Sequence, residues 1–580
     1  MNQLKSEVRD GMRIEWDVPV TMDDGIVLRA DVFRPLGEGK YPVIMSYGPY
    51  AKGLDFKQGY PSNWARLIAA APEVLEGSAG KYQNWEVVDT EKWVPAGYVC
   101  VRVDSRGAGR SPGYLCHNNA REHQDFHDCI EWAGTQPWST GKVGLNGISY
   151  YASSQWRVAA TQPPHLTAIC VWEGWVDNYR DSVRHGGIAC DFRRTWQNRQ
   201  VKTVQHGVGE RGLKSAVTGE LVCGPETLSK EELVNNRENM WAELLARPLD
   251  GSYYRERSAD LSKVTVPLLS AGNWGGQGLH PRGNFEGFVG AASQQKWLEV
   301  HGGTHFTHFY DNYGVSLQKK FFGHFLKGEN TGWDRQPRVS LNIRRPGEQF
   351  EPRAEDEWPL ARTQWTKYYL QPADRTLSAE RPRTAMTISY ETTGDGVTFL
   401  APPATRDLEI TGPVAAKLWL SSDTADADIF LVLRVFDPAG KEVVFIGSND
   451  PRTPIGLGWL RASHRKLDPK KSLPYRPWHT HDELWPLTPG AAVELDIEIW
   501  PTCIVVPPGH RVGLSVRGKD YEYDGTDAGV AKAAYPMRGV GPFTHTDPAD
   551  RPREIFGGTN TLHFGSGTAP YLLLPIIPPK

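Results

Sequence analysis

The stretch at residues 141–156, GKVGLNGISYYASSQW, places a serine between a short apolar run and a helical pattern. Ser149 follows Gly147 by two positions, as in the G-x-S-x-G turn that exposes a nucleophilic serine between a strand and a helix. Tyr151 stands where that pattern has its second glycine, so the match is partial. Serine is also a favoured helix N-cap. The segment therefore predicts either a nucleophile or a helix cap, and other parts of the chain must decide between them.

A nucleophilic serine requires a neutral imidazole, a carboxylate that orients this imidazole, and hydrogen-bond donors for the oxyanion. His305, in the segment HGGTH, lies late in the first half and gives the chain order of α/β-hydrolases. The backbone N–H of Tyr150, directly after the serine, is a candidate oxyanion donor. The phenol of Tyr50, in SYGPYAKG, is a second candidate. Together these residues indicate acyl transfer through a covalent acyl-enzyme.

The elements that must position these residues show two patterns along the chain. Short apolar runs begin near positions 42, 98, 143, 166, 266 and 297 and alternate with helical stretches, which predicts a parallel sheet covered by helices. The reactive residues follow these runs, at the edge where such sheets bind ligands. From about residue 334, apolar residues recur at every second position, as in Val493, Leu495, Ile497 and Ile499, which predicts a β-sandwich or jelly roll.

These patterns predict three parts of the chain. An α/β catalytic domain takes residues 1–176 and 259–333, and a helical cap insertion takes residues 177–258, which are rich in Arg, Gln, Asn and Trp. A C-terminal jelly-roll β-sandwich takes residues 334–580. A length of 580 residues agrees with two or three domains, because single cores stop growing at about 250–300 residues.

Composition narrows the possible partners and the compartment. The formal net charge of −3 gives no electrostatic reason to expect binding to nucleic acid or to a membrane surface, and no stretch approaches the roughly 20 apolar residues of a membrane span. Seven cysteines without a CxxC pair suggest reduced thiols, and the first residues lack the apolar segment of a signal peptide. We therefore expect a cytoplasmic enzyme.

Three features together resemble the superfamily of X-Pro dipeptidyl-peptidases, cocaine esterases and α-amino-acid ester hydrolases. They are GPYAKG at residues 48–53, VDSRGAGRSPG at 103–113 followed by the run to GISY at 147–150, and the strand-rich segments at 412–443 and 493–518. The resemblance implies an α/β-hydrolase domain with a helical cap and a C-terminal jelly roll. It also implies Ser149 as nucleophile, His305 as general base, and Tyr50 with the Tyr150 N–H as oxyanion donors. The implied substrate is a small-molecule ester or amide, with no cofactor and no metal, and a homo-oligomer is possible.

One departure from the family concerns the catalytic acid. The family's aspartate follows the fifth apolar run, but Gly276 stands at that place here. Glu173 ends the strand after the nucleophile helix and is our leading candidate for the acid. Asp311 and Asp177 are the next candidates, and Asn273 offers a weaker, neutral hydrogen bond.

Alternatives remain open at this stage. An X-Pro dipeptidyl-peptidase needs carboxylates for the substrate ammonium, and Glu173 would suit that role too. A decayed hydrolase scaffold that only binds a partner would explain the missing aspartate. A metallohydrolase using His301, His305 and His308 is a third reading, although Gly302 and Gly303 interrupt any helix that would align them. Among the tryptophans, Trp175 and Trp274 are candidates for substrate binding.

Overall fold

The computed structural model describes residues 5–523, 538–565 and 567–579. The first half is built on one large sheet and a small hairpin. Its strands are β1 Lys5–Arg9, β2 Met12–Thr21, β3 Val27–Pro35, β4 Tyr41–Gly48, β5 Val99–Asp104, β6 Ser139–Ile148, β7 Leu166–Trp172, β8 Arg184–His185, β9 Ile188–Ala189, β10 Leu268–Asn273, β11 Lys296–His301, β12 Val339–Arg345 and β13 Gln349–Glu355. Strands β4, β5 and β7 are almost wholly buried, as their continuous apolar runs predict.

The large sheet has the order β1-β2-β3-β5-β4-β6-β7-β10-β11-β12-β13. Its centre, from β5 to β12, is parallel, and the hairpins at both ends are antiparallel. Because parallel strands point the same way, the carboxyl ends of β4, β6, β7, β10 and β11 meet at one edge of the sheet. Ser149, Glu173 and Tyr50 lie one or two residues beyond the strand ends at this edge, and His305 lies four residues beyond β11.

Short helices cover the sheet and fill the connection between β7 and β10. The α-helices are α1 Phe56–Gly59, α2 Pro61–Ala70, α3 Thr90–Trp93, α4 Ala120–Gly134, α5 Tyr150–Ala159, α6 Phe192–Trp196, α7 Lys230–Asn235, α8 Met240–Ala246, α9 Ser252–Glu256, α10 Pro281–Gly290, α11 Thr307–Tyr310, α12 Asn312–Phe322 and α13 Arg553–Phe556. Wider helical turns span Asn178–Val183, Gln197–Val201 and Gly323–Lys327. Tighter turns span Pro72–Leu75, Lys202–Val204, Gly209–Arg211, Leu261–Lys263, Trp333–Arg335 and Ala462–His464. The residues predicted as a cap insertion, 177–258, contain the β8–β9 hairpin, α6 to α9 and the connecting turns.

The second half forms an antiparallel β domain. Its strands are β14 Gln364–Leu370, β15 Leu377–Ser378, β16 Met386–Glu391, β17 Val397–Leu400, β18 Leu408–Ser422, β19 Asp428–Phe436, β20 Gly456–Arg461, β21 Val493–Val506, β22 Arg511–Arg517, β23 Thr559–Phe564 and β24 Tyr571–Ile577. In β21, Leu495, Ile497 and Ile499 are buried while the acidic residues between them are not, so the two-residue period places one face in the domain core. The predicted fold class, an α/β-hydrolase domain with a cap followed by a jelly roll, is confirmed.

The predicted domain boundary between residues 333 and 334 stays a prediction. In the structure, the first sheet continues past residue 333. Strand β12 pairs with β11 and β13 pairs with β12, so residues up to Glu355 extend the catalytic sheet. Within the described parts of the chain, none of the helices is both long and apolar enough to span a membrane.

Candidate active site

Ser149 lies on a sharp turn between β6 and α5. Its backbone has φ 56° and ψ −110°, a conformation that non-glycine residues rarely adopt, and its side chain makes no capping hydrogen bond to the helix. The geometry matches the strained turn that exposes a nucleophile at the top of a sheet, whereas a helix cap has an extended backbone and a bonded oxygen. The geometry at Ser149 therefore fits a nucleophile and does not fit a helix cap.

The bulky residue in the partial motif has a local explanation. The ring of Tyr151 lies against Gly48 at the end of β4, and a Cβ at residue 48 would approach this ring to 2.7 Å. At Gly147, a Cβ would lie 2.5 Å from the Cβ of Tyr151. In the usual motif, a glycine after the serine makes the space that the turn needs. Here Gly48 and Gly147 make room for the side chain of Tyr151 instead.

The histidine that contacts Ser149 is His280, which the sequence analysis did not single out. The Nε2 atom of His280 lies 3.0 Å from the Ser149 Oγ. His280 follows β10 in the loop GNWGGQGLH and directly precedes α10. The expected contact of Ser149 with His305 is therefore corrected to His280. His305 lies behind it, with the two imidazole rings stacked at 5.3 Å and an angle of 8°.

His305 is engaged by two carboxylates and so cannot turn towards the serine without breaking both contacts. Its Nδ1 lies 2.7 Å from Glu173 Oε2, and its Nε2 lies 2.9 Å from Glu86 Oε1. Burial alone would lower the pKa of His305, but the two carboxylates outweigh burial and raise it to about 10. His305 is therefore a buried imidazolium at neutral pH, and a protonated ring cannot accept the serine proton.

His280 has the opposite electrostatic setting. Burial lowers its pKa to about 4, with Glu173 acting against burial and the charge of His305 acting with it. His280 is consequently neutral at pH 7, the state that a general base requires. Its Nδ1 lies 3.6 Å from Glu173 Oε2, slightly beyond hydrogen-bond distance.

Glu173, the leading acid candidate, is fully buried at the centre of this group. Its Oε1 accepts from Asn273 Nδ2 at 3.1 Å and faces His301 Nε2 at 3.4 Å. Its Oε2 accepts from His305 Nδ1 and from Ser448 Oγ, the latter at 2.9 Å. Although burial acts to raise the pKa of Glu173, its histidine neighbours hold it well below the ordinary value, so the group is a carboxylate.

The side chains of the other two acid candidates, Asp311 and Asp177, bind partners outside this group. Asp311 caps α12 through the Gly314 N–H and binds the Nδ1 of His308. Asp177 pairs with Arg180. Gly276 lies in the expected loop, and its place beside the site is occupied by Ser448, whose Oγ would be 3.1 Å from a Cβ at residue 276.

Backbone strain is concentrated around the serine. Ala51, Glu86 and Glu173 share the positive φ of Ser149, with φ values of 65°, 61° and 50°. Each such residue costs roughly 1–3 kcal/mol and persists only where its surroundings hold it in place. Ser149 and Glu86 line one cavity, and strain at these two positions is the pattern expected of a preorganised site.

Of the two expected oxyanion donors, Tyr50 lines the same cavity as Ser149, and the Tyr150 N–H directly follows the serine in the chain. The Tyr50 oxygen accepts a hydrogen bond from Trp196 Nε1 at 2.9 Å, which leaves the phenolic hydrogen available to a ligand. The Tyr150 N–H is the first of α5, where N–H groups have no partner within the helix. The Tyr150 side chain is held away from the cavity by Glu122, at 2.6 and 2.7 Å.

A cavity of about 420 Å³ contains Ser149, His280 and His305 in its wall. Its aromatic lining comes from Tyr50, Tyr60, Trp85, Phe192, Trp196 and Phe306, and Trp175 and Trp274 are not part of its wall. Trp175 is buried between the guanidinium groups of Arg157 and Arg193, and Trp274 packs on Phe285 and Trp358 with its indole N–H bonded to the Asn342 carbonyl. The expectation that Trp175 and Trp274 bind substrate is corrected accordingly.

The histidines of the metal alternative do not converge on one point. His301 binds Glu299 at 2.7 Å, His305 binds Glu173 and Glu86, and His308 binds Asp311. Glu173, His280 and His305 have ligand-type atoms within 4.8 Å of one another. Both nitrogens of His305 are nevertheless already bonded to carboxylates. This group therefore fits a hydrogen-bond network better than a metal site.

Sequence reasoning missed three residues of this site: His280, Glu86 and Ser448. His280 had a usable signal, since it lies four residues after Gly276 in the loop where the acid was missing. Glu86 lies in a connection without periodicity, and Ser448 belongs to the other half of the chain. For these two, no local pattern marks the role.

The sheet order, the strained serine turn at the end of β6 and the residues at the carboxyl edge define the class of α/β-hydrolases. Comparisons with known proteins give the family. Residues 24–307 match the model of the X-Pro dipeptidyl-peptidase (S15 family), and residues 331–572 match its C-terminal non-catalytic domain. A solved CocE/NonD family hydrolase from Staphylococcus aureus is 31% identical, with a TM-score of 0.84, and the match covers 98% of this chain and 94% of that one. The chain belongs to the CocE/NonD family of hydrolases.

Curated relatives agree with this placement. A putative serine esterase from Mycobacterium bovis is 25% identical over 86% of this chain and 90% of its own length. The cocaine esterase of a Rhodococcus species is 22% identical over 97% and 98% of the two chains. An α-amino acid ester hydrolase shares the fold at 15% identity and a TM-score of 0.66. The protein is thus an enzyme, a serine hydrolase that cleaves ester or amide acyl bonds.

Proposed function

We propose that the enzyme hydrolyses small-molecule carboxylic esters with Ser149 as nucleophile, His280 as general base and Glu173 as the acid that stabilises the imidazolium. The distance of 3.0 Å between Ser149 Oγ and a neutral His280 is the observation that carries this assignment. It differs from the sequence expectation in the identity of the base, since His305 is charged and turned to the two carboxylates.

The reaction follows from these contacts. Ser149 Oγ attacks the carbonyl carbon while its proton passes to His280 Nε2, and the carbonyl oxygen becomes the oxyanion bound by Tyr50 and the Tyr150 N–H. The protonated His280 then gives this proton to the departing alcohol as the ester bond breaks. Water attacks the acyl-enzyme by the same route, its proton passing through His280, and releases the carboxylic acid and free Ser149.

The setting that we propose is the reducing cytoplasm. All seven cysteines lie in the described part of the chain, and each is a free thiol there. Reduced cysteines are usual in cytosolic proteins, because disulfides form mainly in oxidising compartments.

The direct test of this function is labelling with a fluorophosphonate, which bonds to an activated serine. We expect one adduct per chain, located on Ser149 by peptide mass spectrometry, and no adduct in Ser149→Ala. A parallel panel of activated esters, amides and X-Pro anilides measures the preference for esters. Labelling elsewhere, or hydrolysis that persists in Ser149→Ala, would refute the proposal, and activity lost on chelation would favour the metal alternative.

Replacing Tyr50 by phenylalanine tests the oxyanion role. We expect kcat to fall about 10²- to 10³-fold with a small change in KM, because the phenol acts mainly on charge that develops in the transition state. The matched control is Tyr47→Phe, on strand β4 three residues before Tyr50, where the lost hydroxyl has no hydrogen-bond partner within the described residues. Equal kcat values for the two variants would exclude Tyr50 from the oxyanion site.

A further inference from the structure

The C-terminal domain reaches the catalytic residues through the loop between β19 and β20. Ser448, at the tip of this loop, is almost completely buried and donates its Oγ hydrogen to Glu173 Oε2 at 2.9 Å. Its backbone binds the catalytic domain on both sides, because Ser448 N donates to the Gly275 carbonyl and the Ser448 carbonyl accepts from His305 N, both at 3.1 Å. The contact therefore joins the second domain to the carboxylate and to one histidine of the site.

Gly275 and Gly276 make room for this loop. A Cβ at residue 275 would lie 2.4 Å from the Cα of Gly447, a backbone contact that cannot relax by side-chain rotation. A Cβ at residue 276 would lie 3.1 Å from Ser448 Oγ and 3.2 Å from the ring of Pro281. The two glycines where a carboxylate was expected thus form the surface on which Ser448 docks, and the acid comes from Glu173 on the neighbouring strand.

Ser448 and His280 compete for the same carboxylate oxygen. Glu173 Oε2 has His305 Nδ1 at 2.7 Å, Ser448 Oγ at 2.9 Å and His280 Nδ1 at 3.6 Å. A carboxylate oxygen accepts about two strong hydrogen bonds, and His305 and Ser448 already provide two. The Nδ1 of His280 is left without a hydrogen-bond partner within the described residues.

We propose that Ser448 is a positioning residue supplied by the C-terminal domain: its hydrogen bond to Glu173 Oε2 holds this carboxylate 3.6 Å from His280 Nδ1, which leaves His280 neutral and able to accept the serine proton. The domain that matches a non-catalytic family model would in this way contribute to catalysis. The proposal rests on the proposed function, because it presupposes His280 as the base and Glu173 as its carboxylate.

The charges that face His280 come from several elements. Glu173 follows β7, the imidazolium of His305 follows β11, and the guanidinium of Arg193 lies on α6. Beyond them, Glu86 pairs with His305 and His301 faces Glu173. Removing the Ser448 hydroxyl leaves all these charges in place and frees a lone pair of Glu173 for the Nδ1–H of His280, which stabilises the protonated form of His280.

The experiment is the pH dependence of kcat/KM for a small ester in the wild-type enzyme, Ser448→Ala and Ser448→Cys. We expect the acid limb to move to higher pH in Ser448→Ala, because the freed lone pair of Glu173 stabilises the protonated form of His280. The cysteine variant is nearly isosteric and a weak donor, so it should move the limb the same way with the fold preserved. Ser448→Thr keeps the hydroxyl and should keep the wild-type acid limb.

The matched control is Ser463→Ala, which removes a buried serine oxygen without a hydrogen-bond partner from the same domain. It should leave the acid limb unmoved. An unmoved limb in both Ser448→Ala and Ser448→Cys, with or without a lower rate, overturns the proposal, because a purely structural contact does not change the protonation of His280. Fluorophosphonate labelling of the same samples separates the two ideas. If the wild-type adduct is not on Ser149, the proposed function fails, and if it is, only the role of Ser448 is rejected.

Discussion

Replacing His280 by glutamine should lower kcat by about 10⁴- to 10⁶-fold, the loss that removal of a catalytic base causes in other serine hydrolases. The same replacement at His305 should cost about 10- to 100-fold, as for a lost hydrogen bond between charged groups. The difference follows from geometry, since Ser149 Oγ is 3.0 Å from His280, whereas both nitrogens of His305 are bonded to carboxylates. The measurement is kcat for a small activated ester in both variants, with circular dichroism to show that each is folded.

The pH profile separates the two histidines without any mutation. A general base works when it is neutral, so kcat/KM rises as the pH passes upward through its pKa. With His280 as base, whose pKa is lowered to about 4, activity should persist through pH 5 and 6. With His305 as base, whose pKa is raised to about 10, activity would appear only in strongly alkaline solution. An acid limb far above pH 7, or a larger kcat loss in His305→Gln than in His280→Gln, would reverse the assignment.

The fold could be predicted from the sequence because its signals are local and repeated. Continuous apolar runs such as the one at residues 98–101 specify strands buried on both faces, and the alternation in Val493–Val506 specifies a sheet with one buried face. At Ser149, the glycine two residues earlier and the helical pattern directly afterwards indicated a strand-to-helix turn, although they fitted a helix cap as well. These features depend on neighbours in the sequence.

The identity of the base could not be predicted in the same way. His305 follows β11, the position that the family resemblance gave to the base, but two carboxylates from distant segments hold it as a cation. Glu86 and Glu173 are separated from it by 219 and 132 positions, so their charges act on His305 only after folding. Charge pairing in three dimensions, rather than motif spacing, decides which histidine stays neutral.

The source of the catalytic acid, like the identity of the base, depends on tertiary structure, since position 276 is a glycine. In the sequence this glycine suggested a decayed enzyme, because nothing in the loop replaces the acid. In the structure, Glu173 provides a buried carboxylate from the adjacent strand, and Ser448 of the other domain occupies the vacated space. Adjacent parallel strands end at the same edge, so exchanging the acid between β10 and β7 moves it only one strand spacing, about 4.8 Å.

Replacing Glu173 by glutamine should lower kcat by about 10⁴-fold, the effect of an isosteric amide at the acid position of a serine protease. A neutral amide does not stabilise the imidazolium that forms on His280, and it removes a charge that compensates His305 and His301. We therefore also expect the free energy of unfolding to decrease by about 3–5 kcal/mol, as when one partner of a buried ion pair is lost. The measurements are kcat for an activated ester and urea unfolding at pH 7.

The matched control for this last substitution is Glu299→Gln. Glu299 is a buried carboxylate bonded to His301 Nδ1 at 2.7 Å. His301 lies between Glu299 and Glu173, so Glu299 is one step further from the serine in this hydrogen-bond network. The control substitution should destabilise the fold to a similar degree, because it too removes one of the two carboxylates that face His301, while kcat falls far less. If both variants lose kcat equally, the loss reflects a damaged charge network, and Glu173 is not the acid. If Glu173→Gln keeps a nearly native kcat while folded, the acid must be sought elsewhere along the carboxyl edge.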